Sequence, residues 1–133
     1  MSCKSALYAA MQTPTAVAVG GVIPLGGLIR RYGSDIALNG NAVNLAGTGY
    51  YDVDASITAT LTAAGAVTVT LYKDGVAVPG ATATATGAAG GTVDLDLTAL
   101  VRQSCCAAGA ALTLVLTGVE ATVDNVALRV QRI

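Results

Sequence analysis

Two aspartates stand two residues apart in the stretch GTGYYDVDASITATL, residues 47–61. In an extended chain the spacing of Asp52 and Asp54 sets both carboxylates on one face, about 7 Å apart. Paired carboxylates at such a distance can serve glycoside hydrolysis. That chemistry also needs a cleft with aromatic platforms, and the chain has five Tyr, no Trp and no Phe. The same Asp-x-Asp recurs at Asp94 and Asp96, and a repeated acidic alternation points to solvated or interface faces. An oxygen-only calcium site built from Asp52, Asp54, Asp94 or Asp124 is the other chemistry these side chains offer, but no EF-hand spacing accompanies them.

The remaining reactive side chains are sparse. Histidine is absent, which excludes imidazole acid–base work, His-ligated zinc and a serine or cysteine triad. GGLIRRYGSD holds Gly26, Gly27 and the Arg30–Arg31 pair but lacks the Lys-Ser/Thr ending of a phosphate-binding loop. Those arginines fit a rim or a contact with a neighbour. Cys3, Cys105 and Cys106 are odd in number, and the adjacent pair is poorly placed to bridge itself. They read as free thiols, with a cross-chain bridge in a symmetric oligomer as the alternative. No catalytic residue, cofactor site or metal site is expected, and the chain reads as a non-enzyme.

The elements that hold these residues alternate with a period of two. Tyr51, Val53, Ala55, Ile57, Ala59 and Leu61 point one way, while Tyr50, Asp52, Asp54, Ser56, Thr58 and Thr60 point the other, which makes a half-buried strand. AVTVTLY, TVDLDLT, ALTLVLTG and NVALRVQRI repeat the pattern. Turns fall at NGN (39–41), AAG (63–65), KDG (73–75), VPG (78–80) and GAAGG (87–91), and the Asp-Gly of KDG is a hairpin signal. LTALVRQ (97–103) has room for one helical turn. Eight or more short strands at this spacing predict an antiparallel sandwich, and the missing Cys–Trp–Cys pattern favours a jelly roll over an immunoglobulin sandwich.

Composition sets the partners. The 133 residues fit one domain, with hydrophobic content of 53% that owes much to alanine. A core of that kind stabilises weakly at about 25 cal/mol per Å², so a homo-oligomer is expected. Net charge is −1 with 11% charged residues, which leaves no basic patch for nucleic acid. Uninterrupted apolar runs of about 20 residues are missing, so no membrane partner is expected. No secretory signal is read at the N-terminus, and the product is expected to be kept without export. Residues 1–20, with Pro14 and weak alternation, are expected to form an arm or edge strand, and 21–133 the jelly-roll domain.

The run IALNGNAVNLAGTGYYDVDASITA, then VTVTLYKDGVAVPGATATA, LTLVLTG and the closing NVALRVQRI resembles the complement-type and tumour-necrosis-factor-like jelly roll over residues 34–133. Gly47, Gly49, Tyr50 and Tyr51 match the Gly-x-Tyr before that family's long central strand, and Leu71 to Gly80 match its hairpin. The nearest likenesses are the tip domains of bacterial collagen-like spore-surface proteins and small Ala/Thr-rich phage and prophage proteins. The resemblance implies an all-β, antiparallel, complement/TNF-like jelly-roll sandwich that forms a compact homotrimer. The role expected is that of a structural virion protein, a head-decoration or short-fibre protein of a phage or prophage. Its partners would be the capsid or other virion proteins, and a host surface glycan. The alternatives are a bacterial surface or spore-coat tip domain, or a carbohydrate-binding adhesion module that uses Tyr32 or Tyr50. In a trimer the polar face of the central strand can turn to the three-fold axis. Tyr50, Asp52, Asp54 and Arg129 are the interface residues expected there, with Arg129 of one chain meeting an aspartate of its neighbour.

Overall fold

The computed structural model describes residues 5–33, 35–103 and 109–133. The three cysteines, and the roles expected of them, lie outside the described residues. Eleven strands and no helix occur among the described residues. They are β1 (Ala6–Met11), β2 (Thr15–Val17), β3 (Gly27–Tyr32), β4 (Ile36–Asn39), β5 (Ala42–Leu45), β6 (Gly49–Leu61), β7 (Gly65–Lys73), β8 (Val76–Gly87), β9 (Thr92–Gln103), β10 (Ala110–Gly118) and β11 (Ala121–Arg132). One sheet runs β3-β1-β11-β6-β9 with β2 beside the start of β11; the second runs β4-β5-β10-β7-β8. We call them sheets A and B. All strand pairings are antiparallel, and the two sheets face each other as a jelly-roll sandwich.

Alternation decides which side chains meet in the middle. In β6 the set from Tyr51 to Leu61 at every second residue is buried. Val67, Val69 and Leu71 of β7, Leu112, Leu114 and Leu116 of β10, and Val126, Leu128 and Val130 of β11 complete the interior. Leucine, isoleucine and valine fill most of this core, so it is more substantial than the alanine content suggested; much of the alanine sits on outer faces and edges instead. Tyr51 is the one aromatic side chain in the buried core.

The connections follow from local chemistry. Asp74 (φ 52°) and Gly75 (φ 82°) take left-handed backbone between β7 and β8, the conformation that matches hairpin twist. The Asp74 amide donates to the Ala111 carbonyl at 2.9 Å, and the Ala111 amide donates to Asp74 Oδ1 at 2.9 Å. The hairpin is thereby fastened to β10.

Three local expectations are corrected. Residues 97–103 form no helical turn: they continue β9, with Val101 opposite Tyr51 and Leu97 opposite Ala55. Val78, Pro79 and Gly80 do not end a strand: β8 passes through them with a register shift opposite Thr70 and Tyr72. Because β8 is the edge of sheet B, Pro79 leaves no interior partner without a donor. The arm or edge strand expected of residues 1–20 holds only for β2, which pairs with β11 alone; β1 is an interior strand. β1 lies inside sheet A between β11 and β3, and Leu7, Ala9 and Met11 point into the core. β2 then pairs with β11, and residues 20–23 cross to sheet B. There the Gly20 amide donates to the Leu116 carbonyl at 2.7 Å and the Ile23 amide to the Leu114 carbonyl at 2.8 Å. The apolar residues that looked weakly patterned are therefore shared between two sheets.

Candidate functional site

Directly paired residues in a sheet share a face, so the outer surface of sheet A resolves into rows across its five strands. One row reads Arg30, Tyr8, Arg129, Asp54, Thr98 from β3 to β9. The row above it reads Tyr32, Ala6, Gln131, Asp52, Leu100, and one further on pairs Tyr50 with Arg102. Below lie Ala10, Ala127, Ser56 and Asp96. The expected interface residues Tyr50, Asp52, Asp54 and Arg129 are thus brought together on one face.

Their pairing differs from expectation in one respect. The Arg129 guanidinium reaches Asp54 of its own chain, its direct cross-strand partner, by an ion pair and hydrogen bond. It also stands 3.8 Å from Asp52 Oδ2. One cation therefore serves two carboxylates without help from a neighbour. The side chains are 51% (Arg129), 40% (Asp54) and 38% (Asp52) exposed, so in a lone chain the cluster adds little stability. Beside it lies an open groove of about 420 Å³, walled by Tyr8, Asp54, Ser56, Asp96 and Arg129 and floored by apolar atoms.

Four large apolar side chains share this face. Tyr8 is 40%, Tyr32 70%, Tyr50 48% and Leu100 58% exposed. Sequence reasoning missed Tyr8 and Leu100. Both carried a signal: Tyr8 alternates against Leu7, Ala9 and Met11, and Leu100 is an apolar residue at the parity that Asp94, Asp96 and Thr98 occupy. A wet carboxylate pair ringed by exposed aromatic and aliphatic groups suits an association surface.

A second cluster explains GTGYY. Arg132 Nη1 lies 2.7 Å from Asp35 Oδ2, and Arg132 Nη2 donates to the Thr48 carbonyl at 2.6 Å. The Asp35 amide donates to Ser5 Oγ at 3.2 Å, and the Arg132 amide to the Ser5 carbonyl at 2.8 Å. A Cβ on Gly47 would stand 2.6 Å from the Asp35 carboxylate, and one on Gly49 (φ 144°) would stand 3.0 Å from Arg132 Nε. Both glycines are spaces that the ion pair occupies. The Tyr51 hydroxyl donates to the Gly47 carbonyl at 2.6 Å. Burial, with the Asp35 charge adding to it, pushes the Tyr51 phenol above its ordinary value of 10.0. This latch joins β11, β6 and the strands around Ser5 and Asp35. It escaped sequence reasoning because Asp35 and Arg132 are 97 residues apart.

No protein-family model matches the chain, and no curated protein matches it by sequence. Solved structures do match in shape. Murine APRIL superposes with a TM-score of 0.75 at 11% identity, over 98% of this chain and 100% of that one. The globular domain of zebrafish complement 1qA protein gives 0.71 at 8% identity, over 96% and 95%. The vertex protein P5 of the phage PRD1 gives 0.64 at 13% identity, over 97% and 96%. At such identities the likeness is one of fold, and its coverage leaves no part of the sandwich unaccounted for. The chain has the complement/TNF-like jelly-roll fold.

Proposed function

We propose that the protein is a non-enzymatic structural component of a phage or prophage virion, a head-decoration or short-fibre protein that works as a homotrimer. The observation that carries the reading is the outer face of sheet A, where four large apolar side chains surround a shared Arg–Asp–Asp cluster. Such a face is costly to leave in water and suits burial against copies of itself. In the trimer Tyr50, Asp52, Asp54 and Arg129 turn toward the neighbours. The likeness to a phage vertex protein over nearly the whole chain supports the virion setting.

Two measurements test it. Light scattering of the purified chain should return about three times its 13.1 kDa. Particles purified from the induced phage or prophage that encodes the chain should contain it, by mass spectrometry and antibody labelling. A folded monomer at micromolar concentration overturns the trimer. Absence from particles, with labelling of the cell or spore surface instead, overturns the virion role in favour of a surface tip domain. Specific retention on a glycan array that is lost with Tyr32→Ala or Tyr50→Ala would point to a glycan-binding adhesion module.

A further inference from the structure

β3 and β9 are the two edges of sheet A, four strand steps or about 19 Å apart. Each edge carries something the other lacks. On β3, Arg30 projects from the outer face, and among the described residues no carboxylate pairs with it. On β9, Asp96 projects from the same face, exposed and likewise without a cationic partner among the described residues. At about 19 Å they cannot meet within one chain. The apolar groups match as well: Tyr32 on β3 and Leu100 on β9, the two most exposed large apolar side chains of this face, end one and the same row.

A rotation about an axis parallel to the strands keeps every residue at its own height. It carries the β9 edge of one copy to the β3 edge of the next with the rows aligned. Tyr32 then meets Leu100, and Arg30, one row lower, faces Thr98 with Asp96 one row beyond, within reach of its long side chain. We infer that the chain closes a ring head to tail, with the β3 edge of each copy against the β9 edge of its neighbour. Tyr32–Leu100 is the apolar contact of that ring and Arg30–Asp96 its intermolecular ion pair. The inference rests on the trimeric reading above and adds the faces, the polarity and the pairing of the contact. A head-to-tail contact of this kind closes by rotation instead of pairing a patch with itself. It leaves Arg31, on the opposite side of β3, to its contact with the Ile36 carbonyl at 2.8 Å.

Charge reversal tests the pairing. Sedimentation across a dilution series should show that Arg30→Asp or Asp96→Arg alone raises the dissociation midpoint of the trimer by about tenfold or more, since like charges then face each other. The effect should shrink at high salt. The double variant Arg30→Asp/Asp96→Arg should return to within about threefold of the parent. A parent trimer indifferent to both reversals, or reversals that the double variant does not rescue, overturns the ring pairing and leaves the trimeric reading standing. A parent chain that runs as a monomer or dimer overturns both. Geometry is tested separately with Tyr32→Cys/Leu100→Cys in a chain whose three native cysteines are serine. A short bismaleimide should drive it to covalent trimers, while either cysteine alone gives no product. Exhaustive reaction that stops at dimers means a two-fold face pair and overturns the ring.

Discussion

Gly47→Ala adds a single methyl group, and its cost can be worked from the latch. The new Cβ would lie 2.6 Å from Cγ and Oδ1 of Asp35, too close for either to stay. Gly47 carries no positive φ, so alanine meets no backbone strain; the penalty comes from what the Asp35 carboxylate must give up. Moving it opens the 2.7 Å ion pair with Arg132, whose side chain is 21% exposed against 23% for Asp35. Severing a fully buried pair costs roughly 3–5 kcal/mol and an exposed one about 0–1 kcal/mol. This pair lies between them, at about 1–3 kcal/mol. A chain of 133 residues has an unfolding entropy near its midpoint of about 0.28 kcal/mol per degree, so Tm should fall by about 4–11 °C. Circular dichroism melts at one fixed chain concentration measure this with the mass-action contribution held constant. Asp35→Ala also weakens the latch, but it clears the space. In that background Gly47→Ala should be neutral or gain up to about 1 kcal/mol from a stiffer unfolded chain. Costs that simply add would refute the steric reasoning.

Other outcomes follow from the same geometry. Arg129→Met should cost under about 1 kcal/mol in dissociated chains, where the Arg129–Asp54 pair is wet, and roughly 3–5 kcal/mol in an assembly that buries it. Adding Asp54→Asn should recover part of that loss, and a double-mutant cycle run below and above the dissociation midpoint separates the two cases. Because the Tyr51 phenol is held above 10.0 in the folded chain, the folded state keeps its proton where the unfolded state has lost it. Stability is therefore intact below pH 10 and falls as pH rises through the folded value. Tyr51→Phe should flatten that alkaline fall in urea titrations while losing about 0.5–1.5 kcal/mol at neutral pH with the bond to the Gly47 carbonyl. Deleting residues 1–12 should abolish cooperative unfolding, because it takes an interior strand from sheet A; a folded truncated trimer would contradict the placement of β1.

How far the molecule was legible in its sequence depended on whether a strand has one wet face. β6, β7, β10 and β11 do, and their alternation gave the sandwich, the core and the shared face of Tyr50, Asp52, Asp54 and Arg129. β3 is exposed on both sides along its whole length, so GLIRRY shows no alternation and offered only its arginines. In LTALVRQ the outward Leu100 beside the inward Leu97 and Val101 mimics helical spacing at i, i+3 and i+4, which suggested a helical turn in the middle of β9. β8 hid its continuity because an edge strand tolerates a proline that an interior strand would not. The latch and the intramolecular Arg129–Asp54 pair depend on register between strands far apart in the chain, which no local pattern encodes.

The place of β1 in sheet A also sets an order on how the protein is made. Met11 pairs with Val126 and Ala6 with Gln131, so β1 must wait for a strand that leaves the ribosome more than a hundred residues after it. At about 5–20 residues per second that wait is roughly 6–25 s. For that interval Leu7, Ala9 and Met11 have no β11 to dock on, and sheet A lacks its middle. Nascent chains therefore carry the apolar β1 segment without its native neighbour until β11 has been made. Every strand of sheet B precedes β11 in the chain, so that sheet can pair before sheet A gains its middle.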